Sequence, residues 1–295
     1  MFDLRYHVAS LAAVFLALII GILVGAGLAA RTDVEDSERQ VLQRQIEDLQ
    51  RQTKDLSASN GLLRSKQEAS DEYVSETYDV VMDGRLRGKH VALLFVGQPD
   101  DGAKGAVEQT LSDASAPGLV EMEALELPID QQEVESALDP QFSGLSLEEV
   151  GRRLAGELIQ GGDTPFWDAL TPVLVQDHQG TTTVPADAVV ISYTGIASDA
   201  PTREFLDGLY TGLRRASVPV VGVERSDARR PSRIAVYKAN GLSSVDSIDT
   251  EVGRVALAAL LAGGPEGHYG LKPTAESGRL PKPVDPLPLA PLPGG

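Results

Sequence analysis

The chain has 295 residues, a formal net charge of −17 and no cysteine. The acidic balance argues against a nucleic-acid partner, because such a surface repels a phosphate backbone. The lack of cysteine excludes a disulfide scaffold, a thiolate metal site and thiol catalysis. The length allows one domain of typical size besides an apolar N-terminal segment and an irregular C-terminal one.

Residues 8–30 form an apolar run without a charged side chain. A helix of that length reaches about 34 Å, which is enough to cross a hydrocarbon core of roughly 30 Å. The alternative is a signal peptide cleaved after Ala29 or Ala30, but signal-peptide apolar regions usually have only about 7–15 residues. We therefore expect residues 1–30 to be a retained transmembrane anchor. Lys and Arg flank the run almost evenly, and we expect the following domain to be extracytoplasmic.

Residues 31–84 carry a heptad pattern in which leucine occupies four successive d positions. This pattern predicts a helical coiled-coil stalk whose seam comprises Leu42, Ile46, Leu49, Leu56, Asn60 and Leu63. The stalk would self-associate or pair with a partner membrane protein. The alternative is a solvated helix whose leucines pack on the following domain. Gly84 suits the end of the helix.

Residues 85–262 alternate between apolar, strand-like segments and amphipathic, helix-like ones. The strand candidates are residues 90–96, 186–193, 218–223 and 233–238, with a possible edge strand at 118–127. The helix candidates are residues 103–111, 145–159, 202–216 and 249–261. This alternation predicts an α/β domain with a mostly parallel, Rossmann-like sheet of about four or five strands and helices on both faces. Residues 263–295 read as a Pro/Gly-rich disordered tail.

Three features could carry chemistry: the loop from Gly97 to Lys104, the histidines, and residues 241–251. The loop from Gly97 to Lys104 superficially resembles a phosphate loop, but Asp100 and Asp101 would repel phosphate, so an ordinary turn is the better interpretation. If the domain binds a ligand, this carboxyl edge of the sheet is the favoured place. The four histidines show no ligand spacing. Residues 241–251 carry three carboxylates without calcium-loop spacing, and Asp249 or Thr250 as a helix cap explains them more simply. We expect no catalytic residues and no enzyme activity.

Four segments together resemble one family: MFDLRYHVASLAAVFLALIIGILVG, the heptad stretch, LRGKHVALL and VDSIDTEVGRVALAALLAG. They are similar to the actinobacterial MctB-like family, which is named for the mycobacterial copper transport protein B. The resemblance implies a membrane-associated protein linked to copper homeostasis, with some relatives acting in cell-envelope and division assemblies. Copper as a ligand is implied by the resemblance alone, no metal residues are carried over, and no cofactor is expected.

We therefore expect a single-pass cell-membrane protein that presents an α/β domain on a helical stalk. It would act in a cell-envelope assembly that bears on copper homeostasis or efflux. The alternatives are a membrane-tethered scaffold or regulator in cell division, a small-molecule-binding α/β domain, and a pore formed by oligomers.

Overall fold

The computed structural model describes residues 4–181, 183–197, 199–227 and 231–282. The chain divides into two compact units, Met1–Asp71 and Glu72–Gly295. Helix α1 (Leu4–Met82) contributes to both. It ends just before Gly84, as predicted, and Gly84 has a φ of +67°, a left-handed conformation that glycine adopts without steric cost.

The first unit consists of α1 alone. It contains the apolar segment His7–Gly27, which among the described residues is the one helical segment long and apolar enough to cross a membrane. Every described side chain from His7 to Asp71 is exposed. This unit therefore has no described core of its own, and most helices in proteins are stabilised by tertiary packing rather than by propensity.

The second unit is the α/β domain. Its helices after α1 are α2 (Asp101–Asp113), α3 (Gln131–Ala137), α4 (Leu147–Gln160), α5 (Pro165–Leu174), α6 (Ala200–Arg215), α7 (Ile234–Ala239) and α8 (Glu251–Leu261), with a 3₁₀ turn at Pro140–Phe142. Its strands are β1 (Val91–Val96), β2 (Leu119–Leu125), β3 (Val175–Gly180), β4 (Ala188–Tyr193), β5 (Val220–Val223), β6 (Ser243–Val245) and β7 (His268–Tyr269).

The strands form one sheet in the order β3-β2-β1-β4-β5-β6-β7. All neighbours are parallel except β2 and β3, which are antiparallel. The mostly parallel α/β sheet predicted from the sequence is confirmed, with seven strands in the described part of the chain rather than four or five. Strands β2 and β4 lie on opposite sides of β1, which is the doubly wound arrangement.

Helices cover both faces of the sheet. One core layer holds apolar side chains of α4, α5, α6 and α7, and the other holds those of α2, α8 and the end of α1. Strands β1 and β4 are buried along their whole length, as continuous apolar runs covered on two faces must be. Tyr78 and Met82 are buried in the second layer, so the last turns of α1 belong to the domain rather than to a free stalk.

Close contact between α4 and α6 depends on glycine. A Cβ at Gly208 would lie 1.9 Å from the backbone oxygen of Glu148, and one at Gly151 would lie 2.2 Å from that of Phe205. Such distances are far below van der Waals contact. The two helices therefore approach backbone to backbone over the sheet.

Residues 233–238, predicted as a strand, form helix α7 instead. Ile234 and Tyr237 are buried and three residues apart, which places them on one face of a helix. The Tyr237 hydroxyl donates to the carbonyls of β4 and β5, at 3.3 Å to Ile191 and 3.2 Å to Val223. The strand that pairs with β5 is instead the more polar β6, which the sequence pattern did not predict.

Two predicted boundaries also change. The segment expected as an edge strand is β2, but β3 pairs beyond it, so β2 is covered on both sides. Strand β7 pairs with β6 and Tyr269 is buried, so the sheet continues past residue 262, where the sequence placed the end of the domain. The remainder of the predicted tail, residues 283–295, lies outside the described residues.

Candidate functional site

A polar cleft lies at the carboxyl ends of β1, β4 and β5. The strand order reverses at β1, because the chain goes from β1 to β2 on one side and then returns to β4 on the other. Open α/β sheets bind ligands at such a switch point. The cleft has a volume of about 350 Å³, within the usual range of small-molecule sites. It is lined by Gln98, Pro99, Asp100, Ala103, Ser192, Tyr193, Thr194, Val223, Glu224, Arg225, Asp227, Pro231, Arg233 and Lys272. It lies at the edge that the sequence favoured for a ligand.

One glycine and one helix cap fix the turn after β1. Gly97 has a φ of +107°, and a Cβ there would lie 2.5 Å from the backbone nitrogen of Gly195, so the loops after β1 and β4 meet at a distance only glycine permits. Asp100 caps α2, its carboxylate accepting from the Ala103 amide at 3.0 Å. The ordinary turn predicted here is confirmed, and the Asp100 charge already occupies the helix N-terminus that a phosphate would use.

Charged side chains line the cleft in pairs of opposite sign. Arg225 Nη1 lies 3.5 Å from Asp100 Oδ1, and Lys272 Nζ lies 2.9 Å from Glu224 Oε1. Lys272 Nζ also donates to the Arg225 carbonyl at 2.7 Å. Because the charges balance, the cleft suits a small polar or zwitterionic molecule better than a polyanion.

Two arginines shape the mouth of the cleft. Arg225 Nε is buried and has no hydrogen-bond partner in the described part of the chain. Arg233 is held in place, since its Nη2 donates to the Gly195 carbonyl at 3.2 Å and its guanidinium lies 5.1 Å from the centroid of the Tyr193 ring. A ligand acceptor that reached Arg225 Nε would satisfy a donor that the chain itself leaves unpaired.

A second polar cluster lies on the antiparallel pair β2–β3. Glu121 and Glu123 are each only 1% exposed, and His178 Nδ1 is paired with Glu123 Oε1. Burial, together with the charge of Glu123, raises the pKa of Glu121 to about 8. Burial also raises the pKa of Glu123, to about 7. Glu121 Oε1 and Glu123 Oε2 have no hydrogen-bond partner among the described residues. Because the two carboxyls are buried side by side, the pair holds a proton near neutral pH.

The sequence analysis missed this cluster. Strand β3, which brings His178 to Glu123, was not predicted. The alternation of Glu121 and Glu123 with Met122 and Ala124 gave no signal for burial, since this pattern is typical of a strand with one solvated face.

The structure contains one serine–histidine hydrogen bond, at 2.8 Å between Ser244 Oγ and His268 Nδ1. Ser244 is completely buried in β6, so its hydroxyl cannot reach a substrate. Burial, with a contribution from Lys238, lowers the pKa of His268. The pair therefore holds β6 and β7 together rather than forming a nucleophile and base.

The carboxylates of residues 241–251 perform structural roles. Asp246, which is fully buried, accepts hydrogen bonds from the amides of Leu271 and Lys272. Asp249 accepts from the amide and hydroxyl of Ser226. Thr250 caps α8, as one of the two predicted caps. In the part of the chain that the structure describes, no group of three or more His, Cys, Asp or Glu side chains is placed to hold a metal ion.

The chain matches the family model described as "Copper transport outer membrane protein, MctB" over residues 1–279. It belongs to this family. It is 26% identical to the copper transporter MctB of Mycobacterium bovis and to that of two strains of Mycobacterium tuberculosis, with 92% of this chain and 96% of each relative covered. The predicted MctB-like family is thereby confirmed over residues 1–279, which include α1 and the α/β domain.

The part of the chain that matches the MctB family includes the whole of α1. The family match includes the candidate membrane segment and the heptads that follow it. All six predicted seam residues lie on α1, where their side chains are exposed: Leu42, Ile46, Leu49, Leu56, Asn60 and Leu63. The structure thus places them on one helix but supplies no second helix to pack against them.

Proposed function

We propose that this chain is a membrane-anchored component of a copper-handling assembly in the cell envelope. One observation carries the proposal: in a member of the copper-transport family, the candidate membrane-spanning segment continues within the same helix into an exposed leucine seam. A seam of this kind is buried only when another helix packs against it. The chain would act on copper through the proteins it assembles with, and not as an enzyme.

The available copper ligands support a role through assembly. Copper(I) prefers thiolates and thioethers, and the chain has no cysteine. Met82 and Met122 are 0% and 2% exposed and pack in one core layer of the domain. Neither offers an accessible thioether, so the proposal assigns no copper-transfer step to them.

The proposal places the α/β domain outside the cytoplasm. Arg5 precedes the apolar segment while Arg31 and Arg39 follow it, and long domains translocate largely regardless of so small a difference. Because the chain lacks cysteine, Gln109→Cys on an exposed position of α2 provides a unique label. A membrane-impermeant maleimide should modify it in intact cells. Modification only after lysis would place the domain in the cytoplasm.

Copper content of cells tests the central proposal. Deletion of the gene should change cellular copper under copper load, and the wild-type chain should restore it. Leu49→Ala with Leu56→Ala should fail to restore it, whereas Leu62→Ala, an exposed leucine outside the seam, should succeed. Purification from membranes in mild detergent should recover a copper-handling partner with the wild type. Unchanged copper content in the deletion strain, or division proteins alone as partners, would contradict the proposal.

A second candidate function is binding of a small molecule in the cleft. The observation that favours it is the unpaired, buried Arg225 Nε beside a cavity at the switch point of the sheet. Native mass spectrometry of protein purified from its own membranes should then detect a bound polar compound, and Arg225→Gln should abolish it. A mass equal to that of the bare chain would remove this candidate.

A further inference from the structure

The seam of α1 presents large apolar side chains to solvent. Leu42, Ile46, Leu49, Leu56 and Leu63 are between 54% and 65% exposed. Burying a leucine stabilises a protein by roughly 1.5–3 kcal/mol relative to leaving it exposed. A row of such side chains therefore needs an occupant, and the pattern around it indicates which one.

Between Leu42 and Asn60, charges on the helix are confined to positions that face away from the seam. The charged residues occupy heptad positions b, c and f: Arg44, Glu47, Asp48, Arg51, Lys54 and Asp55. The flanking e and g positions are all neutral there: Gln43, Gln45, Gln50, Gln52, Ser57 and Ser59. Charges at e and g select a different partner or repel an identical one. Over this stretch two copies of the helix meet without repulsion and no oppositely charged partner is selected, whereas charges at e and g return beyond it, at Arg64 and Lys66.

The polar residues of the seam are compatible with pairing of identical helices. The Thr53 hydroxyl donates to the Leu49 carbonyl at 2.7 Å, so its methyl group can face the seam without an unsatisfied donor. Asn60 occupies an a position, where in a parallel, in-register pair it meets the same residue of the other copy. A single asparagine at such a position specifies register.

Two glycines lie on one face of the membrane segment. Gly21 and Gly25 are four residues apart, and a Cβ at either would meet nothing within 4 Å among the described residues. Small residues four apart allow two membrane helices to approach closely. Counted back in sevens from Leu42, the core positions between these glycines and the seam include Glu35 and Arg39. The glycines therefore offer a second contact, separate from the seam.

We propose that α1 forms a parallel, in-register dimer with a second copy of this chain, through the seam from Leu42 to Leu63 and, within the membrane segment, through Gly21 and Gly25. The parallel direction rests on the membrane anchor of the proposed function, because two copies inserted in one orientation present their stalks side by side. The dimer would give the α/β domain a partner domain at the membrane without any contact specified by the domains themselves.

Single cysteines in the full-length chain in native membranes test the dimer, because the natural sequence has none. Leu49→Cys and, independently, Leu56→Cys should form a disulfide-linked dimer on oxidation with diamide, since a disulfide needs Cα atoms within about 7 Å. Leu62→Cys at an outer c position is the matched control and should give about tenfold less dimer. Equal yields from seam and control positions, or a seam crosslink to a different protein, would overturn the proposal.

Direction and register have their own readout. When differently tagged Leu42→Cys and Leu63→Cys chains are combined, each should crosslink to its own kind and not to the other. A mixed 42–63 crosslink would show an antiparallel pair and overturn the parallel model. Carbonate extraction separates the two proposals, since a chain that is extracted has lost its anchor, whereas a retained chain without crosslinks has lost only the dimer.

The glycines extend the test into the membrane. Gly21→Ile with Gly25→Ile should lower the crosslinking yield of Leu49→Cys several-fold, because two large side chains would separate the helices. Gly27→Ile, at a c position, should leave the yield unchanged. If both substitutions had the same effect, Gly21 and Gly25 would not belong to the dimer contact, and the membrane part of the proposal would be wrong.

Discussion

The same residue type has opposite environments in the two units of the chain. Leu93 and Leu94 in β1 are completely buried, whereas Leu49 and Leu56 in α1 are 60% and 65% exposed. In the domain, a continuous apolar strand is covered by helices of the same chain. In α1, leucines spaced by seven residues form a stripe that no described residue of the first unit covers.

The α/β domain buries its apolar side chains within one chain, whereas the first unit leaves its described leucines exposed. The domain closes two core layers on a seven-stranded sheet, so its stability is independent of protein concentration. The first unit offers a membrane-length apolar segment and a row of exposed leucines, which in the proposed dimer are covered by the membrane and by a second copy. Substitutions in the first unit should therefore change assembly, whereas substitutions in the domain should change its free energy of unfolding.

The largest expected effect is on assembly. Leu49→Ala with Leu56→Ala should abolish α1 pairing, because four leucines are lost per dimer and the lower end of the usual cost, about 2 kcal/mol for each large-to-small change, gives about 8 kcal/mol. Sedimentation equilibrium of the full chain in detergent measures this. Leu62→Ala is the control and should change little. Unfolding of the domain, followed by fluorescence of the single, buried Trp167, should be the same in the wild type and in both variants. A monomeric wild type would contradict the prediction.

The largest effect within the domain is expected at the contact of α4 and α6. Gly208→Ala adds a methyl group that would lie 1.9 Å from the Glu148 backbone oxygen, and such overpacking should lower the free energy of unfolding by about 3 kcal/mol. Gly156→Ala on α4 meets nothing within 4 Å and should instead raise it by about 0.5–1 kcal/mol. Urea unfolding monitored at Trp167 measures both. Similar values for the two substitutions would mean that the helices do not pack this closely.

A smaller effect is expected from the buried carboxyl pair. The pKa of Glu121 is raised from 4.5 to about 8, so the folded state binds more protons than the unfolded state between these values. Stability therefore falls as pH rises through that window. Glu121→Gln should remove about 1–2 kcal/mol of the fall between pH 5.5 and pH 8.5.

The control for this pH effect is Glu126→Gln, at an exposed position next to the same strand. It should leave the pH profile of thermal unfolding unchanged. If Glu121→Gln and wild type show parallel profiles, Glu121 is not protonated in the folded domain, and the β2–β3 pair must be solvated there.

No tight copper site is expected in the chain. Its histidines are separate, since His90 pairs with Asp187 and His268 with Ser244, and thiolates are absent. In a copper titration, the full chain in detergent should bind no more tightly than His178→Gln, which removes the histidine of the β2–β3 cluster. Stoichiometric, sub-micromolar binding that is lost in His178→Gln would contradict this and place a metal beside Glu123.

The sequence predicted the parts of the molecule whose pattern is local. The apolar runs of β1 and β4, the cap at Thr250 and the turn after Gly97 all follow from neighbouring residues. Strands β3 and β6 escaped prediction because their polar sequences, VQDHQG and SSV, are strands only through pairing with β2 and β5. The prediction for α7 was wrong because a run such as RIAVYK fits a strand or a short helix equally well. The helix is favoured by a long-range contact, since it brings the Tyr237 hydroxyl to the carbonyls of Ile191 and Val223.

The candidate site shows the same limit. The cleft was foreseen as an edge of the sheet, because switch-point geometry follows from strand order. Its arginines were not, since Arg225 and Arg233 lie in loops whose only signal is their position after β5. The buried Glu121 and Glu123 required knowledge of β3, which arrives from 50 residues further along the chain.

Amide hydrogen exchange of the full chain in detergent, measured over a range of protein concentrations, tests the contrast between the two units most directly. We expect protection of the seam region, residues 41–66, to rise with concentration, because its helix is stabilised by a second copy. Protection of β1 and β4 should stay constant, because their core is complete in one chain. Protection of the seam that does not change with concentration down to the monomer would contradict this account.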